Sequence, residues 1–134
     1  MKNLVTAILI VFLAGVLMTG FRSEFQNDWP VPDKYKKMAN PVKADAASIA
    51  EGKTLWAKHC QSCHGKMGLG DGSKAAQLKT DPGNFSKAAF QSQSDGAIFY
   101  KTLEGREDMP SFKKKIPDQN EIWSIVNYMR TFKK

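Results

Sequence analysis

Cys60-Gln61-Ser62-Cys63-His64 is the stretch on which the reading of this chain turns. Two thiols three positions apart, followed at once by an imidazole, form the C-x-x-C-H spacing by which a c-type haem is attached. Each thiol can add to one of the two vinyl groups on a porphyrin edge, and the neighbouring imidazole then falls beneath the iron as its proximal ligand. Other uses of these residues are weaker. A thioredoxin-like dithiol needs a preceding strand in a βαβ unit, whereas here an amphipathic helical pattern precedes Cys60. A zinc site made of His59, Cys60, Cys63 and His64 would consist of two adjacent pairs; closed sites take their second pair from a distant segment, and the chain has only two Cys and two His. A Cys60–Cys63 disulfide would close a tiny loop with little entropic gain.

Outward from the motif the chain reads as all-α. A first helix is expected from about Ala46 to Cys60, with Ile49, Gly52, Leu55 and Trp56 at steps of three and four. A second runs from about Ser94 to Glu104, with Ser94 or Asp95 as N-cap and Gly105 where a left-handed C-terminal residue is wanted. A third, about Gln119 to Phe132, follows Pro117; Asp118 with Glu121 makes a capping-box-like start, and Ile122, Ile125, Val126 and Met129 line one face. Between the first two lies a loop rich in glycine and small polar residues, Gly65 to Asn84. Its glycines lack the Gly-Lys-Ser/Thr ending and preceding strand of a phosphate cradle. No strand alternation and no repeat emerge. The 134 residues suit one domain with an appendage, and residues 45–134 are read as that domain. Three short helices bury proportionally little surface, yet the stretch carries nine aromatics, which a bulky apolar prosthetic group would pack.

Together these residues resemble the class I, single-haem cytochromes c, over essentially all of residues 45–134. Gly52 and Trp56 lie eight and four residues before Cys60, where that family places a small residue and an aromatic at the crossing of its first and last helices. Tyr128 and Ile125 stand where the crossing partners belong, because glycine lets two helix backbones approach and an aromatic fills the neighbouring gap. The resemblance implies a small cytochrome c fold of about three main helices wrapped around one covalent haem c. It also implies a carbonyl acceptor for the non-ligating nitrogen of His64, for which Pro82 is the matching candidate. Lys53, Trp56 or Tyr100 are candidates for hydrogen bonds to the propionates.

The second axial ligand decides the chemistry. Met1 and Met18 fall in the N-terminal apolar segment, Met67 is held on the His64 side, Met129 belongs to the stripe of the third helix, and Met38 is unanchored in the arm. Met109 remains, within Gly105-Arg106-Glu107-Asp108-Met109-Pro110-Ser111-Phe112. Its loop is far enough from His64 to pass round the haem edge, and a Met-Pro pair before the final helix is where the resembled family carries its axial thioether. The competing readings are a Met109 that merely packs in a loop core, and His59 as ligand; His59 adjoins Cys60 on the attachment side and is read as a surface residue. The expected cofactor-binding set is therefore Cys60, Cys63, His64 and Met109, with iron on His64 and Met109.

Residues 1–22 stand apart. Between Lys2 and Arg22 an uncharged run of 18 residues, Leu4 to Phe21, is long enough for an N-terminal membrane anchor and also compatible with a cleaved signal peptide. Either places the remainder on the periplasmic side of a bacterial inner membrane, anchored or, after cleavage, soluble. Residues 23–44, with Trp29-Pro30-Val31-Pro32 and Asn40-Pro41, read as a Pro-containing arm, a spacer with partial packing. Beyond residue 22 the chain has 18 basic against 13 acidic side chains. Lys113-Lys114-Lys115 with Lys66, Lys74 and Lys79 would steer an acidic redox protein or a membrane respiratory complex; no nucleic-acid partner is expected. The expected function is single-electron transfer, not enzymatic turnover. A fixed subunit of a larger redox complex and a haem gas sensor are the alternatives.

Overall fold

Asp45 starts the helix that carries the motif. Its carboxylate accepts the Ser48 backbone N–H at 3.1 Å, while the Ser48 hydroxyl accepts the Asp45 N–H at 3.2 Å, a reciprocal capping box that opens α2 (Ala46–His59). The accepted N–H and nearby Lys43 hold the Asp45 carboxyl below its ordinary range. The structure, a computed structural model, describes residues 29–134; the expected anchor or signal segment, residues 1–22, lies outside the described residues. In chain order the helices are α1 (Asp33–Lys36), α2, α3 (Gln61–His64), a 3₁₀ turn (Ala75–Gln77), α4 (Ala88–Gln91), α5 (Asp95–Glu104) and α6 (Gln119–Arg130). The described residues form no β-strand beyond a two-residue bridge, Arg106 to Met109.

The three long helices are the three expected from sequence, and their ends are set by caps. Ser94 is the α5 N-cap, its hydroxyl accepting from Ala97 N–H at 3.2 Å. Asp118 caps α6 by accepting from Asn120 N–H at 2.9 Å, so Asp118 acts alone rather than in a box with Glu121. α6 ends at Arg130, and Phe132 sits one residue past the cap, still buried. Arg130 closes this end by donating to Asp95, to the Gln91 carbonyl and to the Gln93 carbonyl, which ties α6 to α4 and α5.

α2 and α6 make the most extensive helix contact of the fold. A Cβ on Gly52 would run into the Ser124 backbone carbonyl and come within 2.9 Å of the Tyr128 Cβ. Tyr128 is thus at the crossing as expected, but the residue facing Gly52 most closely is Ser124 rather than Ile125, which points into the core. A backbone carbonyl cannot swing aside as a flexible side chain would. Gly52→Ala is therefore expected to cost about 1–3 kcal/mol through overpacking, read as a lowered urea midpoint at unchanged haem content. Around this crossing Trp56 meets Tyr128, Phe132 and Phe85 edge-on, while Phe99 stacks on Trp123 at 4.1 Å.

From Trp29 onward the arm is a strap rather than a spacer. Val31 is buried, Tyr35 packs on Tyr100 at 4.7 Å, and Trp29 lies under the Arg106 guanidinium at 4.7 Å. Buried Asn127 of α6 fastens the strap: its amide donates to the Val42 and Lys43 carbonyls and its oxygen accepts from Asn40 at 2.8 Å. Satisfying a buried amide this fully makes the contact stabilising rather than costly.

Candidate haem-binding site

His64 is placed by the turn of α3 and held by one bond. Its Nδ1 lies 3.0 Å from the Pro82 carbonyl oxygen. A carbonyl can only accept, so Nδ1 carries the proton and Nε2 keeps its lone pair for a metal. Burial keeps the imidazole pKa below its ordinary value, which favours that neutral, ligating form. Pro82 is the acceptor the resemblance had implied. Trp56 braces the other side of the motif: its indole N–H donates to the Gly65 carbonyl at 3.0 Å, just after His64.

Cys60 caps α2, buried, and Cys63 lies one turn on, half-buried; neither is in a disulfide. Burial pushes the Cys60 thiol up to about 12. That is the opposite of the lowered pKa that marks a reactive redox thiolate. Among the described residues no cluster of three or more His, Cys, Asp or Glu could hold a metal ion.

Both cysteines and His64 open onto one cavity of about 580 Å³, and Met109 lines it too. The four expected residues are thus brought together. The volume lies in the range of cofactor pockets, roughly 300–1,000 Å³, and Leu78, Phe85, Phe90, Ile98 and Phe112 supply apolar wall. Met109 arrives on a tight hairpin: Arg106 and Met109 exchange backbone hydrogen bonds at 2.8 and 2.9 Å. Gly105 turns the chain out of α5 at φ +69°, with the Met109–Ser111 backbone packed where a Cβ would stand. Of the other methionines, Met67 and Met38 are exposed; Met129 reaches the cavity wall from the α6 stripe, buried.

Several site details differ from expectation. His59 is half-buried, not a plain surface residue; it lines the cavity and meets the Phe112 ring edge-on at 5.9 Å. Lys53 and Tyr100 do not line the cavity, and the Trp56 N–H is spent on Gly65. The long cationic side chains on the lining are Lys101 and Arg106, both beside Trp29, so these are the groups suited to carboxylates on a bound porphyrin. Sequence offered no signal for them, because Lys101 and Arg106 sit 41 and 46 residues past Cys60 among many other basic residues.

Residues 47–129 match the family model described as Cytochrome C oxidase, cbb3-type, subunit III. The chain belongs to that family. It is a monohaem c-type cytochrome, all-α, carrying covalently bound haem c and serving as a haem-bearing electron carrier. Two solved structures are similar. One is the Kuenenia stuttgartiensis reducing HAO-like protein complex Kustc0457/Kustc0458, at 24% identity and TM-score 0.64 over 82% of this chain and 54% of that one. The cytochrome therefore spans about half the length of that neighbour. The other is the KustC0563 c-type cytochrome, at 33% identity and TM-score 0.55 over 62% of this chain and 98% of that one. No curated protein matches the chain. The cavity fits the haem on its own terms, with two thiols, a neutral imidazole, a thioether, apolar walls and two cations on one lining.

Proposed function

We propose that the cytochrome passes single electrons between respiratory redox partners on the outer side of the cytoplasmic membrane, through iron held by His64 and Met109. The observation that carries this reading is the convergence of Cys60, Cys63 and His64 of the motif with Met109 of a distant hairpin on one cavity. Bound there, the haem supplies one-electron chemistry as its iron passes between ferric and ferrous. Cys60 and Cys63 secure it by thioether links. His64, oriented by Pro82, presents Nε2, and the soft sulfur of Met109 would favour the ferrous state and raise the reduction potential. The apolar walls act in the same direction by disfavouring extra charge. A haem whose iron took both His64 and Met109 would leave oxygen and peroxide no place to bind, which suits outer-sphere transfer.

Exposed Lys66, Lys74, Lys79 and Lys114 offer a basic surface to an acidic partner. Lys113 contributes less than its position suggests, since it pairs with Glu104 at 2.7 Å. Among the described residues no helix is long and apolar enough to cross a membrane, so membrane attachment rests on residues 4–21. A second reading, a fixed subunit of a larger redox complex, is favoured by the family description and by a structural neighbour that is a complex. Solubilisation in mild detergent separates the two: the first expects the haem chain to elute alone, the second expects stoichiometric partners. Ferrous cytochrome is expected not to bind carbon monoxide under native conditions; ready binding would replace both readings with a gas sensor.

A further inference from the structure

The two loops that meet at the cavity are joined by one carboxylate. Asp108 Oδ2 accepts the Lys79 backbone N–H at 2.7 Å, the Thr80 backbone N–H at 3.2 Å and the Thr80 hydroxyl at 3.4 Å. Asp108 immediately precedes Met109, and Thr80 lies two residues before Pro82, whose carbonyl holds His64. A short path of peptide and hydrogen bonds therefore links the thioether to the imidazole across the cavity. The base of the Met109 hairpin is fixed separately on α5, by Ser111 Oγ and Phe112 N–H donating to the Leu103 carbonyl. Its tip is exposed at Glu107 and Asp108, and Glu107 sits in the left-handed region at φ +54°, a conformation that costs energy for a residue with a Cβ.

From this arrangement we infer that Asp108 is a positioning residue, a clasp that keeps the Met109 sulfur on the iron. The inference rests on the His64 and Met109 ligation proposed above. A thioether is a neutral, single-point ligand, so its hold depends on the segment that delivers it. The Arg106–Met109 bonds close the hairpin on itself and Leu103 fixes its base, but among these contacts only Asp108 ties its strained tip to the loop that orients His64. A carboxylate oxygen accepting from three donors makes charge-assisted bonds of about twice the ordinary strength, on the segment where a small displacement breaks the iron–sulfur bond. Because the tip is exposed, loosening it should affect ligand exchange far more than global folding.

The test measures the rate at which imidazole replaces the native ligand in the ferric, full-length holoprotein. Asp108→Ala is expected to raise that rate about tenfold or more, the factor given by losing one charge-assisted bond, with haem content and unfolding midpoint close to wild type. Asp108→Asn keeps an oxygen that can accept the same two backbone N–H groups but without the charge, and its rate should fall between those of wild type and Asp108→Ala. If Asp108→Ala does not mature with haem, Asp108→Ser removes the reach to Lys79 and Thr80 in the same way. Met109→Ala calibrates the assay. If Met109→Ala accelerates exchange but Asp108→Ala matches wild type, the clasp is refuted; so it is if the Asn and Ala variants behave alike. If wild type already exchanges as fast as Met109→Ala, the ligation reading itself has failed.

Discussion

Replacing Cys60 and Cys63 together by alanine is expected to give a polypeptide that is colourless once denatured, has the mass of the bare chain and has lost most of its helical signal. The first two outcomes follow from the thioether links, the third from packing. Trp29, Leu78, Phe85, Phe90 and Met109 are only half-buried by protein, and all five face the central cavity. Completing the burial of a large apolar side chain contributes up to about 1.5–3 kcal/mol, while a whole domain is stable by only about 5–15 kcal/mol. Five such side chains without a partner remove a large share of that margin. Near-native circular dichroism in the double variant would show that the protein core suffices alone. Visible absorbance that survives denaturation would show that the attachment lies elsewhere.

The second large effect is on the potential. Met109→Ala is expected to keep the covalent haem, since Cys60, Cys63 and His64 are untouched. Its reduction potential should fall by a sizeable fraction of the roughly 0.8 V that axial ligation spans, and it should gain binding of exogenous ligands. The control is Met129→Leu. Met129 also reaches the cavity, but from a helix stripe where it packs as a core side chain, and a volume-conserving swap there should leave the potential close to wild type. A redox titration of the three proteins decides the matter. A Met129→Leu variant that loses the high potential while Met109→Ala keeps it would reverse the ligand assignment.

The long helices were legible because their signals are local and repeat. Ile122, Ile125, Val126 and Met129 recur at helical spacing, and Ser94 and Asp118 cap within three residues of what they cap. Four-residue α1, α3 and α4 are too short for any period to register. The C-x-x-C-H motif was legible for a similar reason: the chemistry it serves fixes the spacing of adjacent residues. What stayed hidden depends on contacts between distant parts of the chain. Asn40 meets Asn127 across 87 residues, and nothing in Trp29-Pro30-Val31-Pro32 distinguishes a strap from a spacer until the surface it lies on exists. Asp108 reads, in sequence, like one more solvated charge beside Glu107. Lys101 and Arg106 do not stand out among the many basic residues, and nothing in the sequence decides between Lys53, Trp56 and Tyr100 as propionate partners.

The packing of the strap also fixes where the described part of the chain begins. Trp29 lies on the cavity wall, so the chain enters the folded body beside the haem edge rather than at the far pole. The point where the strap joins the body is therefore also a wall of the cofactor cavity, so a change at Trp29 would be felt by both.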